Sequence, residues 1–239
     1  MQKQFPLSRI FPNMVTVAGL CCGLSAVRFA LMERWEIVIA LVLAAGIIDA
    51  LDGLAARLLK ATSQFGAQLD SLSDIISFGV SPALVMYLWV LQDKQRYGWA
   101  AALFFVVCCA LRLARFNASI IKEGEPKPAH KRFFTGIPAP AGALLATAPI
   151  TLSLEQINWF ADKPMASSFY LIIIALLMAS RIPTFSFKQI RISQPMILPV
   201  MMVVSLYVAT FFIEPWIALL FTGAVYVACI PWSAWLARK

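Results

Sequence analysis

Four aspartates lie within strongly apolar sequence, and this feature most constrains the fold. They are Asp49, Asp52, Asp70 and Asp74. A carboxylate at the centre of a bilayer costs about 3 kcal/mol on insertion scales, so such residues are rare and usually functional. Carboxylates that converge also repel one another unless positive charge lies between them. The pattern therefore predicts one or two divalent cations, because hard cations prefer oxygen ligands.

The composition is that of an integral membrane protein. The chain has 239 residues, of which 61% are hydrophobic and 13% charged, and its mean hydropathy is +0.79. These values predict an all-α bundle of transmembrane helices. The apolar segments follow one another without a soluble insert, so we expect a single transmembrane domain over residues 1–239.

The composition also excludes several other functions. The net charge is +8, but no basic face with interleaved aromatic residues is visible, so we expect no nucleic-acid partner. His130 is the only histidine, which excludes a histidine-rich metal site and argues against a Ser-His-Asp triad.

Apolar stretches of membrane-spanning length can be placed eight times. We expect helices at about 13–32, 36–59, 67–91, 98–117, 137–154, 167–182, 196–213 and 216–236. If the amino terminus is cytoplasmic, fifteen of the 20 Lys and Arg residues fall on the cytoplasmic side and four on the other, with Arg28 inside the first span. The positive-inside rule then places both termini in the cytoplasm, and we expect the inner membrane of a bacterium.

The four aspartates belong to one helical hairpin, about residues 36–91, with its turn near residues 60–64. Helical spacing places them on facing ridges beside small residues and one arginine. On the first helix of the hairpin, one ridge contains Asp49, Gly53 and Arg57, and the neighbouring ridge contains Asp52 and Ala56. On the second helix, the facing ridge contains Gly66, Asp70 and Asp74. The small residues leave room for a ligand, although close helix packing would also explain them. An ion pair is the structural alternative for Asp52 and Arg57.

Carboxylates that hold two metal ions suit displacement at phosphorus. The ions would orient a diphosphate and offset charge that develops on the leaving group. A remaining carboxylate could take a proton from an alcohol nucleophile. This chemistry does not by itself name the substrate.

The motif is similar to a known family signature. The string Asp49-x-x-Asp52-Gly53-x-x-Ala56-Arg57, followed by Gly66-x-x-x-Asp70-x-x-x-Asp74, resembles the signature of the CDP-alcohol phosphotransferase family at all of its defining positions. This resemblance implies transfer of a phosphoalkyl group from a CDP-linked lipid to an alcohol, with release of CMP. It also implies a homodimer in contact with membrane lipids.

The resemblance assigns roles to the motif residues. Asp49, Asp52 and Asp70 would bind two divalent ions, Mg²⁺ or Mn²⁺, and Asp74 would complete the metal site and act as the general base. The CDP pocket would contain Asp52, Gly53, Ala56, Arg57 and Gly66. Asn13 and Thr16, in a Pro-Asn-x-x-Thr segment, would contact the nucleotide, although a helix N-cap is an equally good explanation for them.

Four flanking segments resemble the branch of the family that uses serine, the membrane-bound phosphatidylserine synthases. They are residues 74–83, 112–117, 134–140 and 180–188. This branch implies CDP-diacylglycerol and L-serine as substrates. Arg112, Arg115 and Asn117 are then candidates for binding the acceptor, since arginine binds carboxylates well. Lys131 and Arg132 could contact a phosphate or anionic lipid.

Other functions are also compatible with parts of the sequence. A sibling enzyme could use glycerol phosphate, inositol phosphate or choline as its acceptor, and phosphorylated acceptors also need arginines. A cation-coupled transporter would also place carboxylates inside the membrane. A purely structural membrane protein is disfavoured by the buried acids.

Overall fold

The computed structural model describes residues 11–59, 63–122, 133–185 and 194–236. Almost all of these residues are helical, which confirms the all-α class. The α-helices are α1 (Phe11–Ala30), α2 (Trp35–Leu58), α3 (Gln64–Asp74), α4 (Ser81–Trp89), α5 (Gln95–Lys122), α6 (Ala139–Leu154), α7 (Pro164–Ala179), α8 (Ile197–Ile213) and α9 (Pro215–Leu236).

Each of the eight predicted spans coincides with helical structure. Within the described ranges, five helical stretches are long and apolar enough to cross a membrane: Phe11–Ala30, Trp35–Ala55, Gln64–Trp89, Arg96–Ala118 and Pro215–Trp232. The helices α6, α7 and α8 are apolar but shorter. That all eight cross the membrane stays a prediction, and the two chain ends lie outside the described residues.

The third span is a continuous helix whose hydrogen-bond pattern changes in the middle. It begins after Ser63, whose hydroxyl accepts a hydrogen bond from the backbone N–H of Gly66 at 3.0 Å. Between α3 and α4, residues Ile75–Val80 form a π-helical segment. Such wider turns are rare and often occur at functional sites. The apolar pattern predicted the helix but not this segment.

The first three spans form the part of the bundle that carries the aspartates. The helix α1 packs most extensively against α2 and also contacts α3 and α4. Small residues make the close approach possible: a Cβ added at Gly19 would lie 3.2 Å from Cγ2 of Ile48 in α2. Glu33, with φ of 57°, reverses the chain between the two helices.

Hydroxyl groups join α1 to the third span. The Oγ atoms of Ser73, Ser77 and Ser81 donate to the carbonyl oxygens of Thr16, Gly19 and Gly23, at 3.3, 3.5 and 2.7 Å. All three serines are buried. These contacts connect α1 directly to the helix on which Asp70 and Asp74 lie.

A short antiparallel ribbon was not predicted. The strands β1 (Phe133–Thr135) and β2 (Pro183–Phe185) pair with Phe134 opposite Thr184. The strand β1 lies between the predicted spans 98–117 and 137–154, in a stretch that the apolar pattern left outside the helices. At its end Gly136 has φ of +76°, and its N–H donates to the carbonyl of Ile182 at 2.8 Å. The local sequence could not indicate this pairing, because the two strands are far apart in the chain.

The last two helices pack at the edge of the bundle. The helix α9 contacts α6 and β2, and α8 packs against α9. Every residue of α8 is at least partly exposed. Tyr207 Oη and Thr222 Oγ1 form a hydrogen bond of 2.6 Å between α8 and α9. An apolar helix with so much exposed surface is typical of contact with lipid.

Candidate metal and nucleotide site

Three of the four aspartates converge between α2 and α3. One carboxylate oxygen from each of Asp49, Asp70 and Asp74 can be chosen so that all three atoms lie within 4.8 Å of one another. Asp49 is on α2, whereas Asp70 and Asp74 are one turn apart on α3. The predicted convergence of facing ridges is therefore present in the structure.

Asp52 lies apart from this group of three but in the same cavity. Its side chain is buried, at 3% exposure, beside Thr16 of α1. A small cavity of about 10 Å³ is lined by Asp52, the other three aspartates and residues from α1, α2, α3 and the π-helical segment. The remaining lining residues are Thr16, Gly19, Ala45, Ser73, Ser77 and Phe78. A second ion near Asp52 stays a prediction.

The electrostatics of the cavity favour a cation. One carboxylate oxygen of Asp49 lies within 4.8 Å of one of Asp74, and two ionised carboxylates this close repel each other unless a proton or a metal ion lies between them. Asp70 is close enough to Asp49 and Asp52 to be repelled by both. An oxygen-only set of ligands fits Mg²⁺ or Mn²⁺ better than softer metals.

The structure brings predicted nucleotide-binding residues of α1 and α3 close to one another. The Oδ1 atom of Asn13 lies 2.9 Å from the position that a Cβ on Gly66 would occupy, so α1 and the start of α3 meet there. Thr16 lines the cavity, while its hydroxyl donates to the carbonyl of Pro12 at 3.1 Å. Gly53 is exposed, and a Cβ there would meet no atom of the described residues within 4 Å. This open space disfavours close helix packing as the reason for Gly53.

Ala56 and Arg57 lie in the last turns of α2, but their side chains are outside the described structure. The same is true of the whole of Lys131 and Arg132. Their proposed contacts with the diphosphate, a phosphate or lipid therefore stay predictions.

The three acceptor candidates on α5 have different surroundings. Arg112 is partly buried and close enough to Asp49 and Asp74 for their charges to act on it. Its Nε atom is buried and has no hydrogen-bond partner among the described residues. Arg112 is therefore the candidate that the structure brings to the aspartates.

Arg115 and Asn117 make contacts within the protein. The guanidinium of Arg115 donates to the carbonyl of Ala179 at the end of α7. The amide of Asn117 donates to Oγ of Ser71 at 2.9 Å, which ties α5 to α3. Both contacts hold neighbouring helices together, so a direct role in acceptor binding stays a prediction for these two residues.

Sequence reasoning missed the buried serines Ser73, Ser77 and Ser81. The three serines recur every four residues, starting next to Asp74, and this spacing could have indicated a shared helix face. Serine is common on helices, however, and the sequence does not reveal whether a hydroxyl bonds to its own helix or to a neighbour.

The geometry defines a class of protein: an integral membrane enzyme with an acidic site between its first helices. A family model described as CDP-alcohol phosphatidyltransferase matches residues 9–236. The chain belongs to this family, which confirms the resemblance seen in the motif.

Within that family, the chain is similar to curated relatives that share one name. The CDP-diacylglycerol--serine O-phosphatidyltransferase of Mycobacterium tuberculosis (strain ATCC 25618 / H37Rv) is 35% identical over 234 residues, covering 96% of this chain and 81% of the relative. The protein of the same name from Helicobacter pylori (strain ATCC 700392 / 26695) is 33% identical over 197 residues, 82% of this chain and 81% of the relative. That from Methanocaldococcus jannaschii is 36% identical over 170 residues, 71% of each chain.

Proposed function

We propose that this protein transfers the phosphatidyl group of CDP-diacylglycerol to the hydroxyl of L-serine, giving phosphatidylserine and CMP. The observation that carries the proposal is the convergence of Asp49, Asp70 and Asp74 within 4.8 Å in a membrane-embedded helical hairpin. The printed names of relatives similar over most of this chain support serine as the acceptor.

The aspartates would hold two divalent ions, Mg²⁺ or Mn²⁺. Asp49, Asp70 and Asp74 supply the clustered oxygens, and Asp52 adds a buried carboxylate to the same cavity. When bound, the ions supply positive charge that orients the diphosphate and stabilises the leaving group.

Residues of α1, α2 and α3 would bind the nucleotide. Asn13, Thr16 and Gly66 lie where α1 meets α3, and the open space beside Gly53 lets a flat or phosphorylated group approach the backbone of α2. Ala56 and Arg57 complete this proposed pocket from the end of α2. The acyl chains of the substrate then remain in the surrounding lipid.

Asp74 would act as the general base. It takes the proton of the serine hydroxyl, whose oxygen forms a new bond to the phosphorus that carries diacylglycerol. The bond from that phosphorus to the oxygen of CMP breaks, and CMP leaves with the electron pair. Asp74 suits this role because it belongs to the cluster and lies deeper in the third span than the other motif residues of that span, Gly66 and Asp70.

Arg112 would bind the serine carboxylate. Its guanidinium has a buried nitrogen that no described residue pairs, and it lies near Asp74. Arginine can bind a carboxylate through two parallel hydrogen bonds, which would fix the position of a small acceptor.

The site would face the cytoplasm of a bacterial cell, at the inner membrane. The distribution of Lys and Arg between the predicted loops supports this orientation. We also propose that the protein functions as a homodimer, on the basis of the family resemblance alone.

The proposal is tested with purified protein in lipid nanodiscs. Labelled CDP-diacylglycerol and Mn²⁺ are supplied with serine, glycerol 3-phosphate, inositol phosphate or choline, and both CMP and the lipid product are measured. We expect product with serine only. Product with another alcohol would instead identify a sibling enzyme. Absence of CMP with every acceptor would contradict the enzyme, and ion flux driven by a gradient would then favour a transporter.

A further inference from the structure

The contacts between α1 and the third span contain a change of register. Ser73 bonds to a carbonyl 57 positions earlier in the chain, whereas Ser77 and Ser81 bond to carbonyls 58 positions earlier. The third span therefore advances four residues between Ser73 and Ser77, while α1 advances only three between the carbonyls that they bond.

The extra residue coincides with the change of helix type. The π-helical segment begins at Ile75, between those two serines, and ends at Val80, just before Ser81. A π-helical turn holds more residues than an α-helical turn, so it absorbs an inserted residue without turning the following serines away from α1. The segment thus keeps both halves of the span aligned with one face of α1.

These three serine bonds run between helices. Several other Ser and Thr hydroxyls in the described helices bond back to their own helix four residues earlier, as Ser71 does to Ala67, Thr147 to Ala143 and Ser168 to Pro164. Ser73, Ser77 and Ser81 donate across to another helix instead. An apolar contact tolerates sliding along the helix axis, whereas a bond to one particular carbonyl defines the axial position.

Ser81 makes the shortest of these bonds, at 2.7 Å to Gly23, and is fully buried. The helices approach each other closely here, since a Cβ added at Gly23 would lie 2.7 Å from Cα of Ser77. Ser81 is not among the residues that line the acidic cavity and lies about two turns beyond Asp74. A contribution of Ser81 to the site would therefore be indirect.

We propose that Ser81 is a positioning residue for the metal site. Through its bond to Gly23 and the π-helical segment, it fixes the axial position of Asp70 and Asp74 relative to Asp49 on α2, which packs on the same α1. This inference rests on the proposed function, because it takes the aspartates as metal ligands.

The test measures Mn²⁺ binding to purified protein by electron paramagnetic resonance, without substrates. Ser81→Ala is compared with wild type and with Ser168→Ala, which removes an equally buried hydroxyl that bonds to its own helix in α7. We expect Ser81→Ala to raise the Kd for Mn²⁺ about threefold to tenfold, from the usual range for hydrogen bonds between membrane helices. Ser168→Ala should leave the Kd for Mn²⁺ unchanged, although we expect both variants to lose thermal stability to a similar extent.

Gly23→Ala provides a second variant, which separates the helices instead of removing the hydroxyl. It should raise the Kd for Mn²⁺ at least as much as Ser81→Ala, and it replaces that variant if Ser81→Ala does not fold. Equal Kd values for wild type, Ser81→Ala and Gly23→Ala would overturn the positioning role while leaving the metal site intact. Failure of the wild type to bind Mn²⁺ would overturn the metal site and the inference together.

Discussion

A carboxylate oxygen of Asp49 and one of Asp74 lie within 4.8 Å of each other although the two residues belong to different helices. Two ionised carboxylates this close repel each other strongly unless a proton or a cation lies between them. The pair therefore relates the geometry of the hairpin to the proposed binding of divalent metal ions.

Replacing the proposed base should stop turnover. Asp74→Asn keeps the size of the side chain but cannot accept the serine proton, so we expect CMP release to fall by about 10²- to 10⁴-fold, the usual contribution of general base catalysis. The matched control is Asp93→Asn, at an exposed position in the 3₁₀ turn after α4. Turnover like that of the wild type in Asp74→Asn would refute the assignment of the base.

Removing divalent ions should abolish activity and lower stability. With EDTA we expect no CMP release, and addition of Mn²⁺ or Mg²⁺ should restore it.

Bound ions should also stabilise the fold, because they relieve repulsion among the carboxylates. An ion concentration 100 times the Kd should raise the free energy of unfolding by about 2.7 kcal/mol. Thermal unfolding with and without Mn²⁺ measures this effect in the wild type and in the exposed control Asp162→Asn. Asp70→Asn should lose most of the stabilisation, and full catalysis in chelator would contradict the metal site.

Replacement of Arg112 and replacement of Arg115, both on α5, should have different kinetic effects. Arg112→Lys replaces the planar guanidinium near Asp74, so we expect the KM for serine to rise about tenfold while the KM for CDP-diacylglycerol changes little. Arg115→Lys should leave the KM for serine unchanged and lower the free energy of unfolding by about 1 kcal/mol, because Arg115 donates to Ala179. Equal effects of the two changes on the KM for serine would mean that Arg112 has no special role.

The variant Gly53→Ala tests whether this glycine serves ligand binding or helix packing. Among the described residues, a Cβ at Gly53 would meet no atom within 4 Å, so Gly53→Ala should keep the thermal stability of the wild type. It should nevertheless raise the KM for CDP-diacylglycerol, because the methyl group narrows the space proposed for the nucleotide.

Gly136→Ala is the contrasting variant. Gly136 has φ of +76°, and a Cβ there would lie 2.8 Å from the carbonyl oxygens of Met178 and Ser180. We expect this change to lower stability by about 1–3 kcal/mol, as strained backbone positions do. Loss of stability in Gly53→Ala, with an unchanged KM, would favour packing as the reason for that glycine.

The sequence was sufficient to predict the helices and the acidic hairpin. Long apolar stretches have few alternatives to a helix in a membrane, because every backbone polar group needs a partner. Helical spacing also placed Asp49 opposite Asp70 and Asp74 correctly, since residues four apart share a face.

Other features depend on neighbours that the spacing does not reveal. Arg112 and Arg115 are three apart, yet one lies near Asp74 and the other bonds to the end of α7. The π-helical segment preserves alignment with α1, so its cause lies in another helix. The ribbon of β1 and β2 pairs residues that are remote in sequence, and three-residue strands leave no clear alternation of apolar and polar side chains.

The ribbon has a mechanical consequence for the second half of the chain. The strand β1 directly precedes α6, and β2 directly follows α7. Their pairing joins the two ends of this helical pair into a closed ring. The pair α6–α7 cannot open at that end without breaking backbone hydrogen bonds, so it should tilt or shift as one rigid unit.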